Sequence, residues 1–410
     1  MAGEYRIIDE AQRQKPDDDV IAQIRARYPV EPEIDKILTR KMHRRREGKG
    51  YSGVTLERLV DGTQRLIGDR LGQPVTIANA RWLSGGASKL QMMFDLDWRG
   101  PDGGEERTET LVLRMEPAAS VTESSRAREF EVIQAVEGII PAPRAYWVDP
   151  DGDFLPYPAM IYAFSSGTAK PSYDAGKVSG LGQNYGPELR AKLAPQFVDL
   201  LAKLHTSDIA QAKGMEHFAP AEVGSNASVI RQVNAMRRIW EEDRIEEEPI
   251  MEIIYRWLIA NAPTLDHVSI VHGDYRSGNF LFDEAKGEIT AWLDWEGASF
   301  GDRHQDLTYA VMPSFAHIAE DGQTLLGSGM MAEHDLYAAY EKASGLTVDP
   351  VRITYFNIYN RYLIAILTLA ASARASRSRG THQDVLVNFV VGLGYPSLAD
   401  LSDYYLGVVA

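Results

Sequence analysis

The sequence predicts an α+β protein in which a small antiparallel sheet precedes a larger, mostly helical part. Three observations carry this reading. Leu90, Met92, Phe94, Leu96 and Trp98 alternate with Gln91, Asp95 and Asp97, a period of two broken only at Met93, and Thr110-Leu111-Val112-Leu113-Arg114-Met115 supplies a return strand. Farther along, apolar residues recur at helical spacing over long stretches. Between those stretches lie VHGDYRSGNFLFD, residues 271–283, and EITAWLDWEGASFGDRHQDL, residues 288–307. Both set carboxylates beside short apolar runs, the pattern of a hairpin with acidic ends.

Taken in order, residues 1–70 read as a polar, helical N-terminal extension with short amphipathic faces at Ile21 and Ile24 and at Ile34, Ile37 and Leu38. The basic cluster Arg40, Lys41, His43, Arg44, Arg45 and Arg46 closes one such stretch. It is either a solvated helix end or a handle for an anionic group, such as a phosphate of coenzyme A. Residues 71–165 form the sheet unit, with Arg99-Gly100-Pro101-Asp102-Gly103-Gly104 as the hairpin turn. Ahead of that hairpin, Ser84, Gly85, Gly86 and Ser88 are small enough to let backbone N–H groups approach phosphate oxygens, with a plain turn as the alternative. Phe130, Ile133 and Val136 follow at helical spacing until Pro141 and Pro143 break the helix. Ala145-Tyr146-Trp147-Val148 and the run Ala159 to Phe164 then read as strands.

Residues 166–410 form the helical unit. Leu189, Leu193, Phe197, Leu200, Leu201 and Leu204 make one face ending at His205, and Ile250, Ile253, Ile254, Trp257 and Leu258 make another. The charge run from Trp240 to Glu248 between them reads as a solvated loop, or as a wall for a polycationic ligand. Tyr355, Ile358, Tyr359, Tyr362, Leu363, Ile366 and Leu367 form a stripe that is core by default and could in part line a pocket. Arg374, Arg377 and Arg379 follow, ending at Gly380, where a helix C-terminus favours cations.

The acidic hairpin has a chemical reading. Phosphoryl transfer needs a carboxylate near the attacking hydroxyl and oxygen ligands for Mg²⁺, which accepts carboxylate and amide oxygens and keeps some waters. Asp274 is the candidate base, Asn279 and Asp294 the candidate metal ligands. The protein-kinase pattern H-R-D-x-x-x-x-N followed by D-F-G has the same Asp-to-Asn spacing; here it is H-G-D-Y-R-S-G-N followed by D-W-E. His272 is expected to hydrogen-bond the backbone nearby rather than act as a base. Asp302 and Asp306 read equally as helix-cap residues.

At these residues the chain resembles the aminoglycoside phosphotransferase family, the choline-kinase-like relatives of protein kinases. HGDYRSGN, the LDWE block and the later G-D-x-x-x-D-L block match it in order, and the resemblance covers roughly residues 75–375. It implies a bilobal protein-kinase-like fold, with ATP bound between a small antiparallel-sheet lobe and a larger helical lobe. Arg114 stands where the family pairs a cation with ATP phosphates, a place where many relatives have Lys. Glu129 would be its helix partner, with a plain surface pair as the alternative. Backbone groups of Ile161 and Ala163 would meet the adenine edge, and Asp306 would fix the catalytic loop through its backbone. The implied activity is ATP- and Mg²⁺-dependent transfer of the γ-phosphoryl group to a hydroxyl of a small molecule, of aminoglycoside type or related. A hydroxyacyl-coenzyme A kinase and a nucleotide-binding pseudokinase are the alternatives. A protein kinase is disfavoured because no A-P-E-type segment follows Asp294.

Composition agrees. With 410 residues, 44% hydrophobic and 25% charged, the chain reads as an ordinary globular protein of two or three compact units. It has no cysteine, which excludes disulfides, Cys-zinc sites and thiol catalysis. Its formal net charge of −15 argues against nucleic-acid partners. No apolar run approaches the roughly 20 residues needed to span a bilayer, and the charged start MAGEYRIIDEAQRQ is unlike a secretory signal. The expectation is a cytoplasmic monomer or homodimer.

Overall fold

A computed structural model describes residues 8–48, 53–83, 89–101, 103–117, 120–174, 181–211, 214–378 and 384–410. It begins with four helices: α1 (Glu10–Gln14), α2 (Asp18–Arg27), α3 (Pro32–Glu47) and α4 (Leu56–Leu71). Their ends follow from local chemistry. Asp9, Asp17 and Thr55 accept hydrogen bonds from first-turn N–H groups, and Gly48 and Gly72 close α3 and α4 in the left-handed conformation.

Five strands follow: β1 (Ile77–Trp82), β2 (Leu90–Trp98), β3 (Arg107–Met115), β4 (Ala145–Asp149) and β5 (Ala159–Ala163), with helix α5 (Arg126–Ala135) between β3 and β4. The sheet is antiparallel, in the order β1-β2-β3-β5-β4. Both faces are covered. Leu59, Leu66 and Ile67 of α4 pack with Phe94, Leu96, Leu111 and Leu113 on one face. Val112, Met160 and Tyr162 meet Val132 and Ile133 of α5 on the other. Burial on both sides explains why β3 is apolar without alternation over Leu111-Val112-Leu113. Burying each such side chain stabilises by about 1.5–3 kcal/mol. Helix α4, within the stretch read from sequence as an extension, thus packs on the sheet.

The larger part holds α6 (Gly186–Thr206), α7 (Ala227–Asp243), α8 (Pro249–Ala260), β6 (Ser269–Val271), β7 (Phe280–Asp283), β8 (Glu288–Trp292), β9 (Ser299–Gly301) and α9 (His304–Ala310). A small sheet of β10 (His317–Ile318), β11 (Leu325–Gly327) and β12 (Met331–Ala332) follows, then α10 (Glu333–Ser344) and α11 (Pro350–Ile366). Helix α11 runs through a π turn, Leu367–Ala371, into α12 (Ser372–Ser378), and α13 (Asp384–Gly392) and α14 (Gly394–Val409) end the chain. Strand β7 pairs with β8 and β6 with β9, both antiparallel. Phe197 and Leu201 of α6 pack behind the β7–β8 hairpin on Phe280, Phe282 and Trp292. A second core joins Leu38 of α3 to Val233, Trp240, Ile254, Tyr362 and Leu401. The predicted α+β class, a small antiparallel sheet followed by a larger helical part, is the fold observed.

Two expectations are corrected here. Within the run Trp240 to Glu248, Trp240-Glu241-Glu242-Asp243 is no solvated loop but the buried last turn of α7, while the segment after it is the expected loop, with Glu246 and Glu247 exposed. The carboxylates of that turn are taken up by cations: Arg237 and Arg244 hold Glu241, Lys41 and Arg238 hold Glu242, and Lys41, Arg45 and Arg374 converge on Asp243. The basic cluster ending α3 is likewise occupied, because Arg44 pairs with Glu123 at 2.6 Å, Arg45 with Asp243 and Arg46 with Asp18. A charge run and a basic run, each polar when read alone, neutralise one another across the fold. Arg377 pairs with Glu10 of α1; Arg379 and Gly380 lie outside the described residues.

Candidate active site

The site is built on the loops 272–279 and 293–298, held together by the β7–β8 hairpin and the β6–β9 pair. Trp292 stacks on Tyr275 with ring centroids 3.8 Å apart, fixing the base of the first loop. Asp306, on α9, accepts the backbone N–H groups of His272 (2.7 Å) and Gly273 (2.9 Å). The His272 ring is fully buried, with Nε2 3.0 Å from the Leu293 carbonyl and Nδ1 facing the Asp274 N–H at 3.3 Å. This is a neutral imidazole donating from Nε2, and burial pushes its pKa below the ordinary value. It ties the two loops together, the structural role expected of it. Gly273 has φ +81°, and a Cβ there would meet the Gly297 carbonyl oxygen at 2.4 Å. The loops approach so closely that only glycine fits.

This frame brings Asp274, Asn279 and Asp294 together. Asn279 Nδ2 donates to the Asp274 carbonyl at 2.9 Å and to its Oδ2 at 2.5 Å, and the Leu293 N–H donates to the Asn279 carbonyl at 2.8 Å. Asp294 follows at once, in the left-handed conformation (φ 59°, ψ 51°), with its side chain 36% exposed. Sequence reasoning missed Arg276, whose Nε donates to Asp274 Oδ1 at 2.8 Å while its guanidinium lies 4.7 Å over the Phe315 ring. A cation inside the H-G-D…N segment was the available signal. Tyr309 of α9 also reaches Asp274 and Arg276.

On the sheet side a buried charge cluster faces the loops. Arg114 Nη1 lies 2.5 Å from Asp294 Oδ1, its Nε 3.5 Å from Glu129 Oε1 and its Nη2 3.5 Å from Glu296 Oε2. Arg114 and Glu129 are 4% and 1% exposed, so the pair is no surface ion pair. Arg126, one helical turn before Glu129, pairs with it and with Glu116 and Glu296. Burial would raise the Glu296 pKa, yet Lys89, Arg114 and Arg126 hold it down at about 2. Glu129 goes the other way: burial raises it, opposed by Arg114 and Arg126. Glu296, the third letter of D-W-E, is a second residue that sequence reasoning left unassigned.

Not every candidate converges here. Ser84, Gly85, Gly86 and Ser88 lie outside the described residues. Lys89, which follows that loop, is buried, with Nζ 2.9 Å from Glu116 and 3.1 Å from Glu296. Ile161 is interior to the sheet, opposite Leu113 on one side and Trp147 on the other, and the Ala163 N–H donates to the Arg144 carbonyl at 2.8 Å. That amide is committed to backbone pairing and is not open to an adenine edge. Beside Asp274 lies a cavity of about 200 Å³, lined in part by Gly273, Gln305 and Tyr309.

Among solved structures, a Ralstonia eutropha chain described as a candidate aminoglycoside phosphotransferase is similar, with a TM-score of 0.56 and 20% identity over 81% of this chain and 92% of that one. The gentamicin–APH(2″)-IIa complex is also similar, with a TM-score of 0.50 and 14% identity over 83% and 96% of the two chains. These likenesses concern the fold. Curated relatives include mouse acyl-CoA dehydrogenase family member 10, 27% identical over 206 residues, 49% of this chain and 18% of the relative. Arabidopsis thaliana probable acyl-CoA dehydrogenase IBR3 is 23% identical over 319 residues, 71% of this chain and 37% of the relative. The chain thus spans well under half the length of these relatives. No helix among the described residues is long and apolar enough to cross a membrane. The phosphotransferase enzyme family APH matches residues 98–346, more than half of the sequence and all of the loops described above, and the chain belongs to that family of phosphotransferases.

Proposed function

We propose that the protein transfers the γ-phosphoryl group of ATP, with Mg²⁺, to a hydroxyl of a small molecule. The observation that carries this is the convergence of Asp274, Asn279 and Asp294 at the mouth of one hairpin. Asp274 accepts the hydroxyl proton as the new O–P bond forms and ADP departs, while Arg276 and Asn279 fix the orientation of its carboxylate. The donor set suits Mg²⁺. Asn279 commits its Nδ2 to Asp274, which leaves Oδ1 as its acceptor, and Asp294 adds a partly exposed carboxylate. Bound Mg²⁺ would supply charge neutralisation at the phosphates. Arg114, held charged by Asp294, Glu129 and Glu296 against the opposing effect of burial, supplies the protein's own cation at the cleft. Catalysis would then rest on positioning and preset charge.

The test is ADP release with an acceptor library, comparing the native chain with Asp274→Ala and Asp294→Ala. Acceptor-dependent ADP release that both substitutions abolish supports the reading. Equal release by the native chain and Asp274→Ala would remove the proposed base. A second reading, a hydroxyacyl thioester as acceptor, is favoured by the acyl-CoA dehydrogenase names of the curated relatives. The pairing of Arg44, Arg45 and Arg46 with carboxylates offers that reading no ready phosphate handle.

A further inference from the structure

The cavity beside Asp274 has an unexpected wall. Gly273 and Asp274 of the family core line it, but so do Ile34 and Leu38 of α3, together with Met236 and Ile239 of α7 and Tyr359 and Leu363 of α11. Helix α3 lies before residue 98, outside the segment that the family shares.

The wall is fixed from both directions. Toward the large part, Lys41 reaches Glu242 at 2.6 Å and Asp243 at 3.2 Å, Arg45 reaches Asp243 at 2.5 Å, and Asp35 meets Arg238. Toward the sheet part, Glu31 meets Arg128 of α5, and Lys36 pairs with Asp151 at 2.9 Å. The charged groups that α3 brings to these contacts are therefore paired off, and the cavity lining is mainly apolar. Three buried polar atoms on residues lining the cavity are not paired off: Oε1 of Gln305, Oε1 of Gln232 and Nε of Arg231, whose Nη2 donates to the Pro220 carbonyl. Gln305 is 3% exposed, so its unpartnered acceptor faces a desolvated setting that a ligand donor would satisfy. Leu367, also at the wall, begins the π turn of α11, a helical irregularity frequent at functional sites.

We infer that α3 selects the acceptor: Ile34 and Leu38 receive the apolar body of a molecule whose reacting hydroxyl lies at Asp274 and whose second donor group bonds Gln305 Oε1. This rests on the phosphoryl-transfer reading above for the role of Asp274, and it names a substrate class, a small hydroxyl compound with an aliphatic portion. A polycation would find no unpaired carboxylate at the α3 wall, because Glu31 and Glu123 are held by Arg128 and Arg44.

The experiment uses the full chain and vicinal alkanediols from butanediol to decanediol as probes, with kanamycin as the polycationic comparison. Binding is measured by calorimetry and turnover by ADP release, for the native chain, Ile34→Trp, which fills the cavity from a half-buried position, and Leu38→Ala, which enlarges it. The expected result is that the longer diols bind the native chain better than kanamycin does. Ile34→Trp should weaken the longer diols about tenfold or more while butanediol and ATP binding stay unchanged, and Leu38→Ala should shift the preferred length. Absence of diol binding to the native chain, or an unchanged length order in both variants, overturns the inference. Length-dependent binding without acceptor-dependent ADP release would keep α3 as a selecting wall and remove the phosphoryl-transfer reading alone.

Discussion

Arg114 Nη1 and Asp294 Oδ1 lie 2.5 Å apart, so a cation on the sheet and a carboxylate at the hairpin mouth neutralise each other across the cleft. If Asp294 is the main metal ligand, a divalent cation must share or take this carboxylate from Arg114. Asp294→Asn should then lower metal-dependent turnover by about 10²-fold or more. It should hardly change stability, since the side chain is 36% exposed and Arg114 keeps Glu129 and Glu296. Turnover against Mg²⁺ concentration, alongside urea unfolding, checks both halves. Full activity in the variant would exclude Asp294 as a ligand.

Gly273 carries the tightest backbone approach at the site. Gly273→Ala would place a methyl 2.4 Å from the Gly297 carbonyl, at φ +81°. No flexible side chain can yield there, so the loops must part. The expected cost is about 1–3 kcal/mol of stability together with a marked fall in kcat, because Asp274 is the next residue. Urea midpoints and kcat measured on the same preparation decide it. An unchanged kcat would mean that the spacing of the two loops does not position the base.

How much of this was legible in the sequence depends on the distance over which each signal acts. The alternation at Leu90 to Trp98 and the ordered H-G-D, D-W-E and G-D blocks are local, and they located the sheet and the loops that bring Asp274, Asn279 and Asp294 together. The buried fate of Glu242 and Asp243 was not legible, because their partners Lys41, Arg45 and Arg374 lie about two hundred and about one hundred and thirty residues away in the chain. A local window sees a charge run and assigns it to water. The same holds for Ile161 and Ala163: the strand is readable, but which amides its neighbours consume is settled only by register.

Asp306 offers a subtler test, since it holds the 272–279 loop through two backbone N–H groups. Asp306→Asn retains the shape but points an NH₂ group at one of two N–H donors, His272 or Gly273, or at His205 Nε2. The expected result is a fall in kcat of about tenfold or more, with KM for the acceptor little changed, because the loop rather than the pocket is displaced. A change confined to KM would place the role of Asp306 elsewhere.

Stability should decline with acidification through buried histidines. His205 is fully buried between Asp306 and Tyr340, with Arg303 and His304 nearby, and burial lowers its pKa below the ordinary 6.5 despite the carboxylate; His272 is lowered likewise. The unfolded chain therefore binds protons first as pH falls below 6.5. Stability from these groups is complete above that value and is lost through the window beneath it, at no more than ~1.4 kcal/mol per pH unit for each group. Urea unfolding at about pH 7.5, 6.5 and 5.5 should show falling midpoints. His205→Gln should flatten the slope; a midpoint that rises with acidification would contradict the assignment.

Asp243 is the keystone of the α3 clamp. It receives Arg45 at 2.5 Å, Arg374 at 2.9 Å and Lys41 at 3.2 Å, and despite burial these three cations hold its carboxyl far below the usual range. Asp243→Ala would leave three cations in a buried setting, with Glu242 able to serve only Lys41. The expected loss is about 3–5 kcal/mol. It should be felt first as undocking of α3, since two of the three cations come from that helix. Limited proteolysis should then cut within residues 8–48 before the sheet region, and the urea midpoint should fall. If Asp243→Ala unfolds cooperatively with no early cleavage there, α3 is part of the global folding unit rather than a separately docked wall. If stability is unchanged, the convergence of the three cations on Asp243 contributes little to holding the helix.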